Sequence, residues 1–321
     1  MKSARDNSKV AIIGAGVIGL TSAVCLLEAG WRVTILARER TPNTTSDVAP
    51  ALWMPFRAFP VDRVLAWARA SHAEFSRLAQ TPETGVVMVP LFQYFDQPAP
   101  PPWWCDGFIP FTTLERAELG KRFQAGYKIE IPLIDSSVYM PYLLDRFAKL
   151  GGEIQEATLR SLADVPEEFS LIVNCSGVGA RELVRDEKVF PIRGEAVWVR
   201  KPDGIGTAIV EVADGPAPTY VVPRRDHVLL GSVVQENDWS REPRADIAAD
   251  VIQRCAAIQP LLKDFNLLAH KVGLRPGRAE VRLELEQPTN GRAVIHNYGH
   301  GGSGFTTSWA CADEVVQLAR S

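Results

Sequence analysis

Residues 9–36 read KVAIIGAGVIGLTSAVCLLEAGWRVTIL, and this stretch decides the fold of the chain. An apolar run of strand length leads into Gly14, Gly16 and Gly19, which have the spacing G-x-G-x-x-G. The next ten residues predict a helix that Gly30 caps, and a second strand follows. Three glycines between a strand and a helix permit the tight turn, the approach of a pyrophosphate and close helix packing. The stretch therefore predicts a dinucleotide-binding domain.

The end of the second strand carries a charged pair, Arg38 and Glu39. Glu39 lies at about the spacing at which an acidic residue takes the ribose hydroxyls of a dinucleotide. Arg38 would instead favour the 2′-phosphate of NADP. A solvated ion pair in a turn is the third interpretation of these two residues.

The composition of the chain favours small-molecule chemistry. Its 321 residues are 46% hydrophobic and 23% charged, with a formal net charge of -3, which argues against nucleic acid or an anionic membrane surface as the main partner. The five cysteines lack C-x-x-C spacing and indicate free thiols in a reducing compartment. No apolar run approaches the length of a signal core or membrane span, so we expect a cytoplasmic protein without membrane contact.

A second glycine-rich turn lies near the end of the chain, in VIHNYGHGGSGFTTSW, residues 294–309. An apolar strand precedes the turn and a helix follows it. The unpaired amides and the dipole at the start of a helix favour negative charge on a ligand. Thr306 and Thr307 add hydroxyl groups there. This turn is therefore a second predicted ligand-binding segment.

The order of predicted elements indicates an α/β fold with two domains. We expect a discontinuous Rossmann-like domain and an antiparallel-sheet α+β domain that binds the substrate. The first comprises residues 1–55, 140–185 and 286–321, and the second comprises residues 56–139 and 186–285.

Residues 279–286, AEVRLELE, alternate between polar and apolar side chains. A strand would place Arg282 on one face together with two glutamates. This face is either solvated, or Arg282 faces a cavity and binds a carboxylate with both guanidinium nitrogens.

These motifs together resemble the D-amino-acid oxidases, a family of FAD enzymes that includes the D-aspartate oxidases. The resemblance covers nearly the whole chain, and Ala310 departs from the family's usual glycine. It implies FAD as cofactor and oxidation of a D-amino acid to an imino acid, with oxygen reduced to hydrogen peroxide. The matching segments are VAIIGAGVIGLTSAVCLLEAG, TTSDVAPALWMPF, IVNCSGVGA, LRPGRAEVRLE and VIHNYGHGGSGFTTSW.

The resemblance also implies roles for individual residues. Arg282 would hold the substrate carboxylate, Tyr220 would assist it, and the Gly302 carbonyl would take the amino group. The substrate pocket would include Met54, Val234 and Ser303. The implied cofactor contacts are Gly14, Ala15, Gly16, Val17, Ile18, Gly19, Arg38, Glu39, Thr45, Ser46, Ala51, Leu52, Leu159, Ser176, Gly301, Gly302, Gly304, Phe305 and Thr306.

Two departures from the family bear on the substrate. Val234 stands near the position of an arginine in D-aspartate oxidases, which favours neutral D-amino acids, although Arg224 or Arg225 could reach the site. The segment 214–218 replaces the animal lid tyrosine and predicts a shorter lid.

Three alternatives to a D-amino-acid oxidase stay open: D-aspartate oxidase, a nicotinamide-dependent dehydrogenase and a non-catalytic flavin-binding protein. The expected partners are a D-amino acid and oxygen, with a homodimer left open.

Overall fold

Two β-sheets carry the architecture of the computed structural model, which describes residues 9–215, 217–287 and 291–321. The polar start, Met1–Ser8, and Pro216 of the expected short lid lie outside the described residues. Within the described part of the chain, no helix has the length and apolar character needed to cross a membrane.

The strands and helices alternate along the first half of the chain, and strands dominate the second half. The strands are β1 (Lys9–Ile13), β2 (Arg32–Ala37), β3 (Val86–Phe95), β4 (Phe111–Thr113), β5 (Ala125–Ile134), β6 (Glu153–Glu156), β7 (Leu171–Asn174), β8 (Phe190–Arg200), β9 (Ile209–Val212), β10 (Thr219–Pro223), β11 (His227–Gly231), β12 (Gln235–Glu236), β13 (Leu267–Gly277), β14 (Arg282–Glu286) and β15 (Ala293–Tyr298). The helices are α1 (Val17–Glu28), α2 (Thr45–Val48), α3 (Val61–Leu78), α4 (Arg116–Leu119), α5 (Ser136–Lys149), α6 (Ala180–Leu183), α7 (Ala245–Ile258) and α8 (Gly304–Arg320).

The first sheet has the strand order β14-β15-β7-β1-β2-β6. Its strands from β15 to β6 are parallel, and β14 is an antiparallel edge strand on β15. Strands β1 and β7 are short buried apolar runs, as expected for parallel strands that are covered on both faces. Helix α1 connects β1 to β2, which confirms the βαβ unit that residues 9–36 predict.

The second sheet has the order β12-β8-β11-β10-β9-β3-β5-β4, and β13 also pairs with β8. Its pairs are antiparallel except for β3 with β9. These two sheets confirm the predicted fold class. Residues 282–286 form a strand of the first sheet. The sequence analysis assigned residues 282–285 of this strand to the substrate-binding domain, because it placed the domain boundary at residue 286.

Parallel strands place their carboxyl ends at one edge of a sheet, which is where ligands bind in open α/β folds. In the first sheet this edge carries the ends of β1, β2, β7 and β15. The glycine turn after β1, the charged pair after β2 and the second glycine turn after β15 therefore meet there.

Candidate active site

A cavity of about 590 Å³ lies at this edge of the first sheet, within the size range of small-molecule sites. It is lined by the turns after β1, β7 and β15, by the end of β2 and by residues of the second sheet. The residues that the sequence singled out at opposite ends of the chain therefore surround one space.

The turn after β1 depends on glycine for two reasons. Gly14 has a φ of +105°, and a Cβ there would lie 2.6 Å from the carbonyl oxygen of Cys175. A Cβ on Gly19 would lie 2.0 Å from the carbonyl oxygen of Gly14. The start of α1 consequently packs directly against the turn and lines the cavity with backbone groups, an arrangement that suits a phosphate.

The end of β2 carries an acidic side chain between two arginines. The Glu39 carboxylate lies 3.5 Å from a guanidinium nitrogen of Arg38 and 3.5 Å from one of Arg241. All three residues line the cavity, and the indole of Trp239 lines it as well. The carboxylate is thus available to accept hydrogen bonds from hydroxyl groups at this end of the cavity.

The segment that contains α2 connects this end of the cavity to its centre. The Ser46 hydroxyl accepts a hydrogen bond of 3.0 Å from the backbone N–H of Val17, so it caps α1. The Thr45 hydroxyl donates to the carbonyl of Leu274 on β13 at 3.4 Å. Both residues line the cavity, and Ala51 and Leu52 line it further along.

The turn after β15 packs against the backbone of the same segment. Gly301 has a φ of +54°, and a Cβ there would lie 1.9 Å from the carbonyl oxygen of Arg57. The Gly302 N–H donates to the carbonyl of Phe56 at 3.0 Å, and a Cβ on Gly302 would lie 2.5 Å from the Phe56 ring. Helix α8 begins two residues later, so its amide end lines the cavity with Gly304 and Phe305.

Ser303 and Thr306 do not line the cavity but hold the wall that does. The buried Ser303 hydroxyl accepts from the Phe56 N–H at 2.8 Å and donates to the Phe56 carbonyl at 3.1 Å. The Thr306 hydroxyl contacts the N–H and the carbonyl of Met54 at 3.2 and 3.0 Å. Met54 itself lines the cavity, so these hydroxyls act by positioning it and Phe56.

We expect Ser303→Ala to lower the free energy of unfolding by about 1–2 kcal/mol, because it leaves a buried backbone N–H without its partner. Urea denaturation followed by circular dichroism measures this change. Ser321→Ala is the control, since that hydroxyl is exposed and bonds the carbonyl of Leu318. Equal stability of the two variants would contradict the bonding role of Ser303.

The structure does not bring Arg282 to the cavity, and the prediction of a carboxylate clamp at this residue is corrected. Arg282 lies on β14 at the edge of the first sheet, where its guanidinium bonds Glu284 at 2.6 Å and Glu286 at 2.7 Å. It also donates to the Tyr298 hydroxyl at 3.0 Å. Burial lowers the pKa of Arg282, but its contacts with Tyr298 and Glu284 raise it by more. The alternation is as predicted, but the polar face is largely exposed.

Arg275, on β13 of the second sheet, lines the cavity where the sequence expected Arg282. Its guanidinium packs on Gly194, and a Cβ on that glycine would lie 2.5 Å from the guanidinium nitrogens. The Nη2 atom of Arg275 donates a hydrogen bond to the Ser232 hydroxyl at 3.3 Å. No Asp or Glu among the described residues forms an ion pair with Arg275. Burial lowers the pKa of Arg275, and contact with the Tyr220 hydroxyl opposes this. Because arginine stays protonated in proteins, its guanidinium faces the cavity as a cation that has no acidic partner among the described residues.

Tyr220, which the sequence predicted to assist Arg282, lies beside Arg275 instead. It is 6% exposed and lines the cavity, and its ring lies over Gly231, its partner on β11. A Cβ on Gly231 would lie 2.2 Å from this ring. Burial raises the pKa of Tyr220, so its hydroxyl keeps the proton that it can donate to an anion.

Most residues that the sequence predicted for the site line this cavity, and five do not. The predicted residues that do not line it are Gly19, Val234, Arg282, Ser303 and Thr306. The predicted residues that line it are Gly14, Ala15, Gly16, Val17, Ile18, Arg38, Glu39, Thr45, Ser46, Ala51, Leu52, Met54, Leu159, Ser176, Tyr220, Gly301, Gly302, Gly304 and Phe305.

Sequence reasoning missed several residues of the cavity, notably Arg275, Glu211, Phe56 and His300. Arg275 carried a signal, since it lies in the same LRPGRAEVRLE motif as Arg282. His300 is buried, and burial lowers its pKa to about 3, so its ring is neutral. In the described part of the chain no group of three or more His, Cys, Asp or Glu side chains is placed to hold a metal ion.

The fold and the cavity define a dinucleotide-binding protein in which a second, largely antiparallel sheet also lines the cavity. A family model described as FAD dependent oxidoreductase matches residues 9–318, and the chain belongs to this family. It is therefore an FAD-dependent oxidoreductase.

Individual proteins extend this comparison. The D-amino-acid oxidase of Rubrobacter xylanophilus is 41% identical over 313 residues, which cover 97% of this chain and 96% of that protein. Human D-aspartate oxidase is 34% identical over 330 residues, covering 98% and 95%. The crystal structure of glycine oxidase from Geobacillus kaustophilus has a TM-score of 0.83 at 19% identity and covers 98% and 95%, which shows a shared fold.

The residues present fit FAD. Gly16, the residue before α1, has no Cβ to hold a pyrophosphate away from the start of that helix. Glu39 offers a carboxylate for ribose hydroxyls at one end of the cavity. At the other end, the amides that begin α8 favour the negative charge that collects on a reduced flavin ring.

Proposed function

We propose that this protein is a D-amino-acid oxidase. The observation that carries the proposal is the pair of Arg275 and Tyr220, which places a cation and a hydroxyl donor in the cavity that the cofactor-binding turns also line. Close relatives of the chain carry this name. In the proposed reaction a D-amino acid, oxygen and water give a 2-oxo acid, ammonia and hydrogen peroxide.

Arg275 and Tyr220 would bind the α-carboxylate, which fixes the orientation of the Cα–H bond. The carbonyl of Gly302 is proposed to accept a hydrogen bond from the amino group. When bound, FAD supplies the two-electron acceptor that takes the Cα hydride. No general base is required once the amino group of the substrate is neutral.

Substrates with a second carboxylate are disfavoured by the same geometry. The two arginines that the sequence considered for that role do not line the cavity. Arg224 is buried, and it donates to the carbonyls of Ile134 and Pro50. Arg225 is exposed. We therefore place D-aspartate second to D-amino acids without an acidic side chain.

We propose, as the sequence predicts, that the segment 214–218 stands in place of a longer lid. Its Asp214 carboxylate accepts hydrogen bonds from the N–H groups of Asp96 and Gln97 at 2.8 and 2.9 Å. Location in the cytoplasm and a homodimer stay predictions of the sequence.

A panel of D- and L-amino acids assayed for hydrogen peroxide tests the proposal. We expect peroxide from D-alanine and other non-acidic D-amino acids, and none above background from their L-enantiomers. D-aspartate should be oxidised with a kcat/KM at least about 10-fold below that of D-alanine, since a second anion would lack a cation. A holoenzyme that forms no peroxide with any D-amino acid would refute the proposed function.

A further inference from the structure

Glu211 is an acidic residue in the substrate part of the cavity that neither the family comparison nor the proposed reaction explains. It lies on β9, is 7% exposed and lines the cavity. Tyr220 is its partner across the antiparallel pair of β9 and β10, so both side chains lie on one face of the second sheet. A carboxylate therefore stands beside the tyrosine that faces the substrate.

The immediate surroundings of Glu211 leave its charge unbalanced. Its Oε2 accepts a hydrogen bond of 2.7 Å from the Gln93 amide, and no Lys, Arg or His among the described residues lies within ion-pair distance. The Oε1 of Gln93 is buried and has no partner in this part of the structure. Burial raises the pKa of Glu211. An unpaired buried carboxylate is costly, and such costs are typical of binding sites.

A purely structural role does not account for the charge. Gln93 and Glu211 are partners across β3 and β9, and their hydrogen bond ties these two strands together. A glutamine at position 211 would form the same tie without burying a charge. In its charged form the Glu211 carboxylate therefore lacks a cationic partner among the described residues, and a bound ligand is able to supply one.

The polarity of the cavity indicates what this partner is. Tyr220 lies on β10, between β9, which carries Glu211, and the side of the sheet where β13, which carries Arg275, pairs with β8. A D-amino acid whose carboxylate binds Arg275 extends its side chain away from that carboxylate. An ammonium or guanidinium group at the end of the side chain would meet the carboxylate of Glu211 and the orphan oxygen of Gln93.

We infer that Glu211 selects D-amino acids with a cationic side chain, the class of D-lysine, D-ornithine and D-arginine. This inference rests on the proposed function, and it names cationic side chains in place of the neutral ones that Val234 favoured. Val234 does not line the cavity, so it does not set the polarity of the pocket. The same carboxylate repels the side chains of D-aspartate and D-glutamate.

The test compares D-lysine with D-norleucine, which has the same chain length but no charge. For the wild-type holoenzyme we expect a kcat/KM for D-lysine at least about 10-fold above that for D-norleucine, the effect of one charge-assisted bond. In Glu211→Gln this ratio should fall about 10-fold or more, chiefly through KM for D-lysine. Glu130→Gln removes an exposed carboxylate of the same sheet and should keep the wild-type ratio.

The outcomes separate this inference from the proposed function. The inference is overturned by a wild-type ratio below one, or by an unchanged ratio in a Glu211→Gln variant that holds FAD. In either case, turnover of D-alanine still supports the oxidase. Absence of turnover with every D-amino acid overturns both. If Glu211→Gln does not fold, the inference is tested by the wild-type ratio and by Glu211→Asp. This variant keeps the charge and should keep a preference for D-lysine.

Discussion

Arg275→Ala should lower kcat/KM for D-alanine about 100-fold or more, because it removes about 3 kcal/mol of charge-assisted binding to the carboxylate. Arg275 faces the cavity beside Tyr220 and has no acidic partner in the described residues. The loss should show mainly in KM, since the carboxylate is held in the ground state as well as in the transition state. Arg275→Lys should recover little, because an ammonium lacks the planar fork that binds both carboxylate oxygens.

Arg282→Ala is the matched control from the same sequence motif. Its guanidinium pairs with Glu284 and Glu286, whose side chains are 57% and 51% exposed, and such surface pairs contribute little to stability. We expect KM for D-alanine within about threefold of wild type. Both variants should retain the visible absorption of bound FAD. A large rise in KM for Arg282→Ala, together with a KM for Arg275→Ala that equals the wild-type value, would reverse the assignment of the two arginines.

Gly19→Val should abolish FAD binding. A Cβ at this position would lie 2.0 Å from the carbonyl oxygen of Gly14, so the start of α1 must move away from the turn. Such overpacking costs about 1–3 kcal/mol, and it displaces the amides that line the cavity. We expect purified protein with less than about one tenth of the wild-type flavin content, because the phosphate site is lost.

Gly206→Ala provides the control for this glycine. A Cβ there meets nothing within 4 Å, and its φ is not in the left-handed region. Flavin absorbance per protein should match wild type in this variant. A Gly19→Val protein that purifies with full FAD would show that close packing of α1 on the turn is not needed.

The residues of the first sheet were predictable because their signals are local. Gly14, Gly16 and Gly19 have a fixed spacing, and a Cβ on Gly14 or Gly19 would meet a backbone carbonyl oxygen. The turn before α8 carries a similar signal in Gly301 and Gly302. Local spacing therefore predicted which turns line the cavity.

The choice between Arg275 and Arg282 was not local. The chain leaves the second sheet after Gly277 and enters the first sheet at Arg282. Alternation within residues 279–286 gives the face of a strand but not the sheet to which it belongs. Without the pairing of β13 with β8, the motif offers several arginines and no way to rank them.

Glu211 was missed for a related reason. In the sequence AIVEVAD a lone glutamate in an apolar run is typical of a solvated strand face. Its burial follows from the position of β9 between β10 and β3, which comes from long-range pairing. The prediction for Val234 was wrong in the opposite direction. The resemblance aligned this residue with a pocket residue of the family, but Val234 does not line the cavity.

Anaerobic mixing of the wild-type holoenzyme with D-alanine, followed at the visible absorption band of FAD, tests the central claim most directly. The geometry predicts that D-alanine bleaches this band, that L-alanine leaves it unchanged, and that Arg275→Ala shows bleaching only at much higher D-alanine concentrations. A band that persists with every D-amino acid, or one that L-alanine bleaches equally, would contradict the proposed oxidase.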